Sequence, residues 1–221
     1  MRGARAPAHD WSITMFYRPE DGHGLPHDPY KAIVAPRPIG WISSLDGEGR
    51  ANLAPYSFFN GCGDHPPLVM FAQTGRKDRD SAFKDSIANI RATGEFAHSV
   101  VPAELAQQMN TSTASYPAGV DEFEEAGLAK GDGRAINVPH VAQSPAVLEC
   151  KLLKIIDDLP CFREDSHNVV VIGQVVGVHI RDDYLVDGIL DVTLYNPIAR
   201  MGYKDYTTVE KRWMMERPGG Q

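Results

Sequence analysis

The chain has 221 residues, of which 43% are hydrophobic and 23% are charged, so it is long enough to bury a core of its own. It contains no apolar run of the length that a bilayer requires, which argues against a transmembrane helix. Its net charge of −7 disfavours nucleic acid and anionic membranes as partners, because phosphate contacts need a basic surface.

The N-terminus and the cysteines indicate the compartment. Two arginines near the N-terminus are followed by no continuous apolar stretch, which argues against a secretory signal. Cys62, Cys150 and Cys161 are odd in number and form no CxxC pair, a usage that suits a reducing compartment better than a disulfide framework. We therefore expect a cytoplasmic protein.

The first third of the chain predicts an arm followed by strands. Residues 1–30 are rich in Pro, Gly, His and Asp, show no period and are expected to form an N-terminal arm. A strand is predicted over Ile39–Ser44, a hairpin turn over Asp46–Gly49 and a returning strand over Arg50–Pro55. Leu68–Ala72 is a short apolar run that suits a buried strand.

A helix is predicted over Ser86–Thr93. Asp85 or Ser86 can accept hydrogen bonds from its first amides, and Gly94 offers a left-handed end. Two isoleucines three positions apart inside it would share one face. This is the first segment with clear signals for both ends of a helix.

The remainder of the core alternates short helices with long strands. The predicted elements are a strand over Glu95–Val100, a helix from Pro102 to Asn110, a short acidic helix over Asp121–Glu125, and strands over Ala146–Ile156 and Asn168–Ile180. Gly173 and Gly177 are predicted to mark bulges or bends in the last strand. Many strands, few helices and no regular βαβ alternation favour a closed or partly closed barrel, a mainly β fold.

Several site types find no support in the sequence. Gly22-His23-Gly24 lacks the spacing and the preceding strand of a dinucleotide-binding turn. His23 and His27 have a metal-like spacing, but Pro26 and two glycines make a helix there improbable, so we expect no metal. Cys62 has no recognisable base nearby in the sequence, so no catalytic nucleophile is assigned.

The segment from Arg76 to Ser86 can bind an anion. Arg76-Lys77-Asp78-Arg79 brings three cations together, and Lys84-Asp85-Ser86 leads into the predicted helix. Helix N-termini carry unpaired amides and partial positive charge, so a phosphate monoester is well served there. The alternative is a solvated charged loop with an ordinary cap.

The stretch Asn52–Asn60 interleaves amide and hydroxyl groups with aromatic residues and breaks its alternation at Pro55. Such a segment can lay its backbone against a flat heterocycle, with polar contacts at the rim and apolar contact on the face. The alternative is a strand end that carries two core phenylalanines.

Together these segments resemble the FMN-binding split-barrel family of flavin reductase-like proteins. The matching stretches follow the family order over roughly residues 30 to 205. They are Pro36–Ser43, Asn52–Asn60, Pro66–Phe71 and Lys84–Phe96, with weaker matches at Asp121–Phe123, Ala126–Leu128, Ser144–Pro145, Leu148–Cys150 and Pro197–Arg200.

The resemblance implies a six-stranded Greek-key split β-barrel with flanking helices over residues 31–205, followed by a tail over 206–221. It further implies a homodimer with FMN near the subunit interface. Ser43 and the Ala54-Pro55-Tyr56-Ser57 segment would line the ribityl chain and the ring, and the phosphate end would meet Arg76, Lys84, Asp85 and Ser86. Arg37 and Arg200 match recurrent family positions, where they either touch flavin or hold the fold.

The implied activity is reduction of flavin by NADH or NADPH, with electrons passing to free flavin, a partner oxygenase or another acceptor. Because flavin carries the redox chemistry, no catalytic triad is required. The same motifs fit an electron carrier without nicotinamide activity, an FMN-dependent oxygenase or a flavin-free structural dimer.

His98 departs from the family pattern, and near the flavin it would alter donor binding or flavin potential. The acidic segment over Asp121–Glu125 is expected to be a solvated face, with covering the site or binding a partner as alternatives.

Overall fold

The computed structural model describes residues 15–76, 83–117 and 119–219. Four α-helices are present in these ranges: α1 (Tyr30–Ile33), α2 (Asp85–Thr93), α3 (Ala106–Thr111) and α4 (Glu122–Glu125). Single 3-10 turns occur at Pro19–Asp21, Ala103–Leu105, Asp182–Tyr184 and Val192–Leu194. None of the described helices combines the length and apolarity needed to cross a membrane.

The same ranges contain fourteen strands, seven of them in one antiparallel sheet. They are β1 (Arg37–Pro38), β2 (Gly40–Leu45), β3 (Ala51–Tyr56), β4 (Phe59–Asp64), β5 (Pro67–Thr74), β6 (Glu95–Ser99), β7 (Lys130–Gly131), β8 (His140–Val141), β9 (Ala146–Ile156), β10 (Asn168–Ile180), β11 (Leu185–Val186), β12 (Ile189–Leu190), β13 (Ile198–Arg200) and β14 (Tyr206–Thr208).

The main sheet has the order β3-β2-β6-β9-β10-β5-β4. Its two outer strands, β3 and β4, are separated in sequence only by Ser57 and Phe58, and the Ala72 amide donates to the Phe58 carbonyl at 2.8 Å. The sheet therefore curls until one continuous segment, residues 51–64, pairs with β2 at one end and with β5 at the other. The predicted split-barrel fold is confirmed. The main sheet has seven strands, so the expected count of six is not confirmed.

The barrel interior is closed by aromatic and β-branched side chains. Phe71 and Phe96 are fully buried there, and their rings meet edge to face with centroids 5.6 Å apart. Ile87 and Ile90 of α2 join the same cluster, as their spacing predicts. Helix α2 ends at Gly94, whose φ of 75° is the left-handed conformation expected from the sequence.

Strand β10 is bent by two irregularities, between Ile172 and Gly173 and between Val175 and Gly177. The glycines predicted to mark bulges are thus confirmed. A Cβ at position 173 would lie 2.4 Å from Cζ of Phe96, so the missing side chain lets the phenylalanine ring pack against the strand. The predicted bounds of β9 and β10 are also confirmed, whereas the helix predicted from Pro102 is a 3-10 turn followed by α3.

Candidate functional site

One cavity of about 290 Å³ is formed by the end of β3, the start of α2 and the loop after α3. It is lined by Asn52, Ala54, Pro55, Tyr56, Arg76, Lys84, Asp85, Ser86, Ser112, Thr113, Ala114, Ser115, Tyr116 and Glu122. The two segments that the sequence singled out, the end of β3 and the start of α2, therefore meet in one place.

The positive side of the cavity is the start of α2. Lys84 occupies the N-cap position and forms no side-chain cap; its backbone amide donates to Oε1 of Gln73 at 2.8 Å. The Lys84 ammonium lies 5.8 Å from the centre of the Tyr56 ring, where loss of solvent lowers its pKa, although the residue as a whole is exposed. Arg76 adds a second cation to the lining. Lys77 and Arg79, the other predicted cations, lie outside the described residues.

Ser86 does not cap α2, contrary to one of our expectations. Its hydroxyl donates to Oδ1 of Asn52 at 2.7 Å. Nδ2 of Asn52 donates in turn to Glu122 at 2.9 Å, and the Leu53 amide donates to the other oxygen of the same carboxylate at 3.0 Å. All three side chains are buried, so this chain of bonds fixes the start of α2 against β3 and α4.

Tyr56 gives the cavity an aromatic wall with a polar tip. Its ring packs on Phe71 with centroids 4.7 Å apart, and burial raises the pKa of its phenol to about 12. The hydroxyl lies near the Ser86 side chain, yet its oxygen has no hydrogen-bond partner within the described part of the chain. A buried donor without a partner costs free energy, so this hydroxyl is available to a bound molecule.

Four of the predicted site residues do not line this cavity. Ser43 is buried in β2, and its hydroxyl donates to the Pro139 carbonyl at 2.6 Å. Ser57 lies between β3 and β4.

Arg37 and Arg200 are partners in the β1–β13 register and also lie away from the cavity. Arg37 donates to the carbonyls of Lys31, Val34 and Gly202, and burial lowers the pKa of its guanidinium. Arg200 donates to the Tyr203 carbonyl and the Tyr206 hydroxyl. Both side chains thus form hydrogen bonds to groups of the chain itself.

Part of the cavity lining was not predicted from the sequence. Glu122 lies in the acidic segment expected to be solvated, but Glu122 and Phe123 are buried while Glu124 and Glu125 are exposed. The hydroxyl-rich loop over residues 112–116 was also missed, although its composition was a usable signal. Ser112 anchors that loop, because it accepts from Nε1 of Trp41 at 2.9 Å and donates to the Met109 carbonyl at 2.8 Å.

None of the histidines in the described ranges lines the cavity. His98 is buried in the sheet, its ring 4.2 Å from that of Phe59, and burial lowers its pKa to about 3, so the ring is neutral. It does not line the cavity. Within the described ranges no three His, Cys, Asp or Glu side chains are placed to hold a metal ion.

Comparison with known proteins places this chain in a family. The family model described as "Flavin reductase like domain" matches residues 34–195, and the chain belongs to that family. An uncharacterised protein of Deinococcus radiodurans is 38% identical over 178 residues, which cover 77% of this chain and 74% of the relative.

Two solved structures extend the comparison to the fold. The 2-nitrobenzoate 2-nitroreductase NbaA of Pseudomonas fluorescens is 30% identical, with a TM-score of 0.73 and coverage of 86% of this chain and 89% of that protein. Nitrilotriacetate monooxygenase component B of Bacillus cereus is 26% identical, with a TM-score of 0.81 and coverage of 92% and 100%. The barrel is thus shared along nearly the whole of these proteins.

Proposed function

We propose that the protein binds FMN and catalyses its reduction by NADH or NADPH. The observation that carries this proposal is the cavity at the start of α2, which joins two cations and a helix N-terminus to an aromatic wall. Membership of the flavin reductase-like family supports the same activity.

The cavity residues fit the two ends of FMN. The amides at the start of α2, Lys84 and Arg76 suit a phosphate, since helix N-termini and cations both favour negative charge. Ala54, Pro55 and the Tyr56 hydroxyl offer apolar and polar contact to the ribityl chain and the ring. When bound, flavin supplies the electron transfer, and the protein orients it and shields one face from water.

The proposed site consists mainly of residues that line the cavity. A contact between flavin and Ser43 would have to replace its bond to the Pro139 carbonyl. Ser57 stays a predicted contact. For Arg37 and Arg200 we propose a role in holding the fold, which their carbonyl contacts support.

Anaerobic mixing of the FMN-loaded protein with each reduced nicotinamide tests the activity. We expect loss of the oxidised flavin absorbance with at least one of NADH and NADPH. Flavin that stays oxidised with both, but accepts electrons from a chemical reductant, would contradict the reductase and leave the electron-carrier alternative.

A second candidate is an FMN-dependent oxidoreductase acting on a small molecule. It is favoured by the 30% identity to a protein named as a 2-nitrobenzoate 2-nitroreductase. Turnover of a nitroaromatic compound, measured beside free FMN as the acceptor, separates the two candidates. The relative named as a monooxygenase component favours an oxygenase as the physiological acceptor.

We further propose a cytoplasmic homodimer. All three cysteines are free, which suits a reducing compartment. Val176, Val178 and Ile180 alternate along β10 and are all exposed; this apolar surface, which we call the β10 face, supports self-association.

A further inference from the structure

The Ser86 hydroxyl already donates its proton in a hydrogen bond within the structure. Oγ of Ser86 and Oδ1 of Asn52 are 2.7 Å apart, and an amide oxygen can only accept, so the proton between them comes from serine. The Ser86 oxygen can therefore only accept hydrogen bonds from its other neighbours. An anion in the cavity would receive no hydrogen bond from this hydroxyl.

The orientation of Asn52 is imposed by Glu122. An ionised carboxylate accepts and cannot donate, so the asparagine must present Nδ2 to Glu122 at 2.9 Å and is left with Oδ1 for Ser86. The other carboxylate oxygen is held by the Leu53 amide. The state of Glu122 thus determines whether the Ser86 proton is free, two side chains away.

We propose that proton uptake by Glu122 reverses this chain of hydrogen bonds and makes Ser86 a donor to the phosphate of FMN. The protonated carboxyl would donate to Oδ1 of a turned Asn52, Nδ2 would donate to Oγ of Ser86, and the serine hydroxyl would donate a hydrogen bond to a phosphate oxygen while keeping its proton. One proton enters from solvent, and the O–H bond that it forms at Glu122 is the only covalent change. Glu122 is a positioning residue, and the inference rests on the proposed binding of FMN.

The surroundings of Glu122 favour such a proton. Burial raises the pKa of its carboxyl, and the neighbouring Asp85 adds to the effect. Two cavities meet at this residue, the second of about 180 Å³, and their linings contribute the facing charges and phenols Asp46, Arg50, Tyr56, Arg76, Lys84, Asp85 and Tyr116. On its own segment lie Asp121, which pairs with Lys130, and the exposed Glu124 and Glu125. A phosphate bound near Ser86 would raise the pKa of Glu122 further.

Glu122→Gln imitates the protonated state, because its amide can donate to Asn52 while its oxygen still accepts from Leu53. At pH 8, where the FMN phosphate is a dianion, we expect this variant to bind FMN about tenfold more tightly than the wild type, the scale of one hydrogen bond to a charged group. Affinity for riboflavin, which lacks the phosphate, should not change. Glu124→Gln, an exposed neutralisation on the same helix, is the matched control and should leave both affinities unchanged.

The Ser86→Ala background separates the hydrogen-bond chain from simple charge removal. We expect the gain from Glu122→Gln to vanish there, and the wild-type and Glu122→Gln affinities to converge as the pH is lowered from 8. An equal gain with and without Ser86, an equal gain for riboflavin, or a gain that is absent would overturn the inference. Failure of every variant to bind FMN at any pH would instead contradict the proposed function.

Discussion

At the scale of single residues, the binding of a phosphate depends on which cations face the cavity. Lys84 lies at the N-cap of α2 with its ammonium over the Tyr56 ring. If it meets the phosphate, Lys84→Ala should weaken FMN binding by about tenfold or more and leave riboflavin binding unchanged, since a charge-assisted contact contributes about 1.5–3 kcal/mol. Fluorescence titration with both flavins checks this. The control is Lys151→Ala, an exposed lysine on β9 that does not line the cavity, and a similar loss there would contradict the assignment.

A second prediction at the scale of single residues concerns Glu149 and the stability of the folded protein. The fully buried carboxylate accepts from the amides of Arg134, Ala135 and Ile136 and from Nε2 of His179. Burial opposes its ionisation, but these hydrogen bonds outweigh burial and lower the pKa of Glu149.

Because the pKa of Glu149 is lower in the folded state, its contribution to stability is present above the unfolded pKa and is lost as the pH falls through the folded one. Glu149→Ala should reduce the free energy of unfolding by about 2–4 kcal/mol at neutral pH, because several buried donors lose their partner. Urea denaturation measures the loss, and the wild type and the variant should converge in acid. Glu125→Ala, at an exposed position, should have little effect.

At the scale of elements, the close approach of β10 and Phe96 is directly testable. A Cβ at Gly173 would lie 2.4 Å from a ring carbon of Phe96, whereas one at Gly47 would meet nothing within 4 Å. Gly173→Ala should therefore destabilise the protein by about 1–3 kcal/mol through overpacking, and Gly47→Ala should not. Equal unfolding midpoints for the two variants would contradict the packing described for β10.

The helices and strands also show which features of the fold could be predicted from the sequence alone. The bounds of β9 and β10, the bulges of β10 and the end of α2 at Gly94 were predictable, because β-branched runs and glycines act locally. The role of Ser86 was not, since its bond to Asn52 joins residues 34 positions apart. Glu122 was missed for a related reason: its helix is acidic and looks solvated until the fold places one of its faces against β3.

At the scale of the whole molecule, the β10 face is an apolar surface that a single chain leaves exposed. Val178 is 58% exposed, and Val176 and Ile180 on the same side of β10 are 37% and 41% exposed, which is unusual for apolar side chains that share one surface. If this face forms the homodimer, Val178→Asp should convert a dimer into a monomer in analytical ultracentrifugation. Leu153→Asp, at a similarly exposed site on β9 outside the β10 face, is the control. A wild type that sediments as a monomer would contradict the proposed dimer.

Whether the cavity at the start of α2 holds FMN is measured most directly by the absorbance spectrum of the protein after saturation with FMN and gel filtration. We expect a yellow protein that retains about one FMN per chain, and loss of that colour when Lys84 and Arg76 are both replaced by alanine. A colourless wild type that fails to retain added FMN would contradict this expectation.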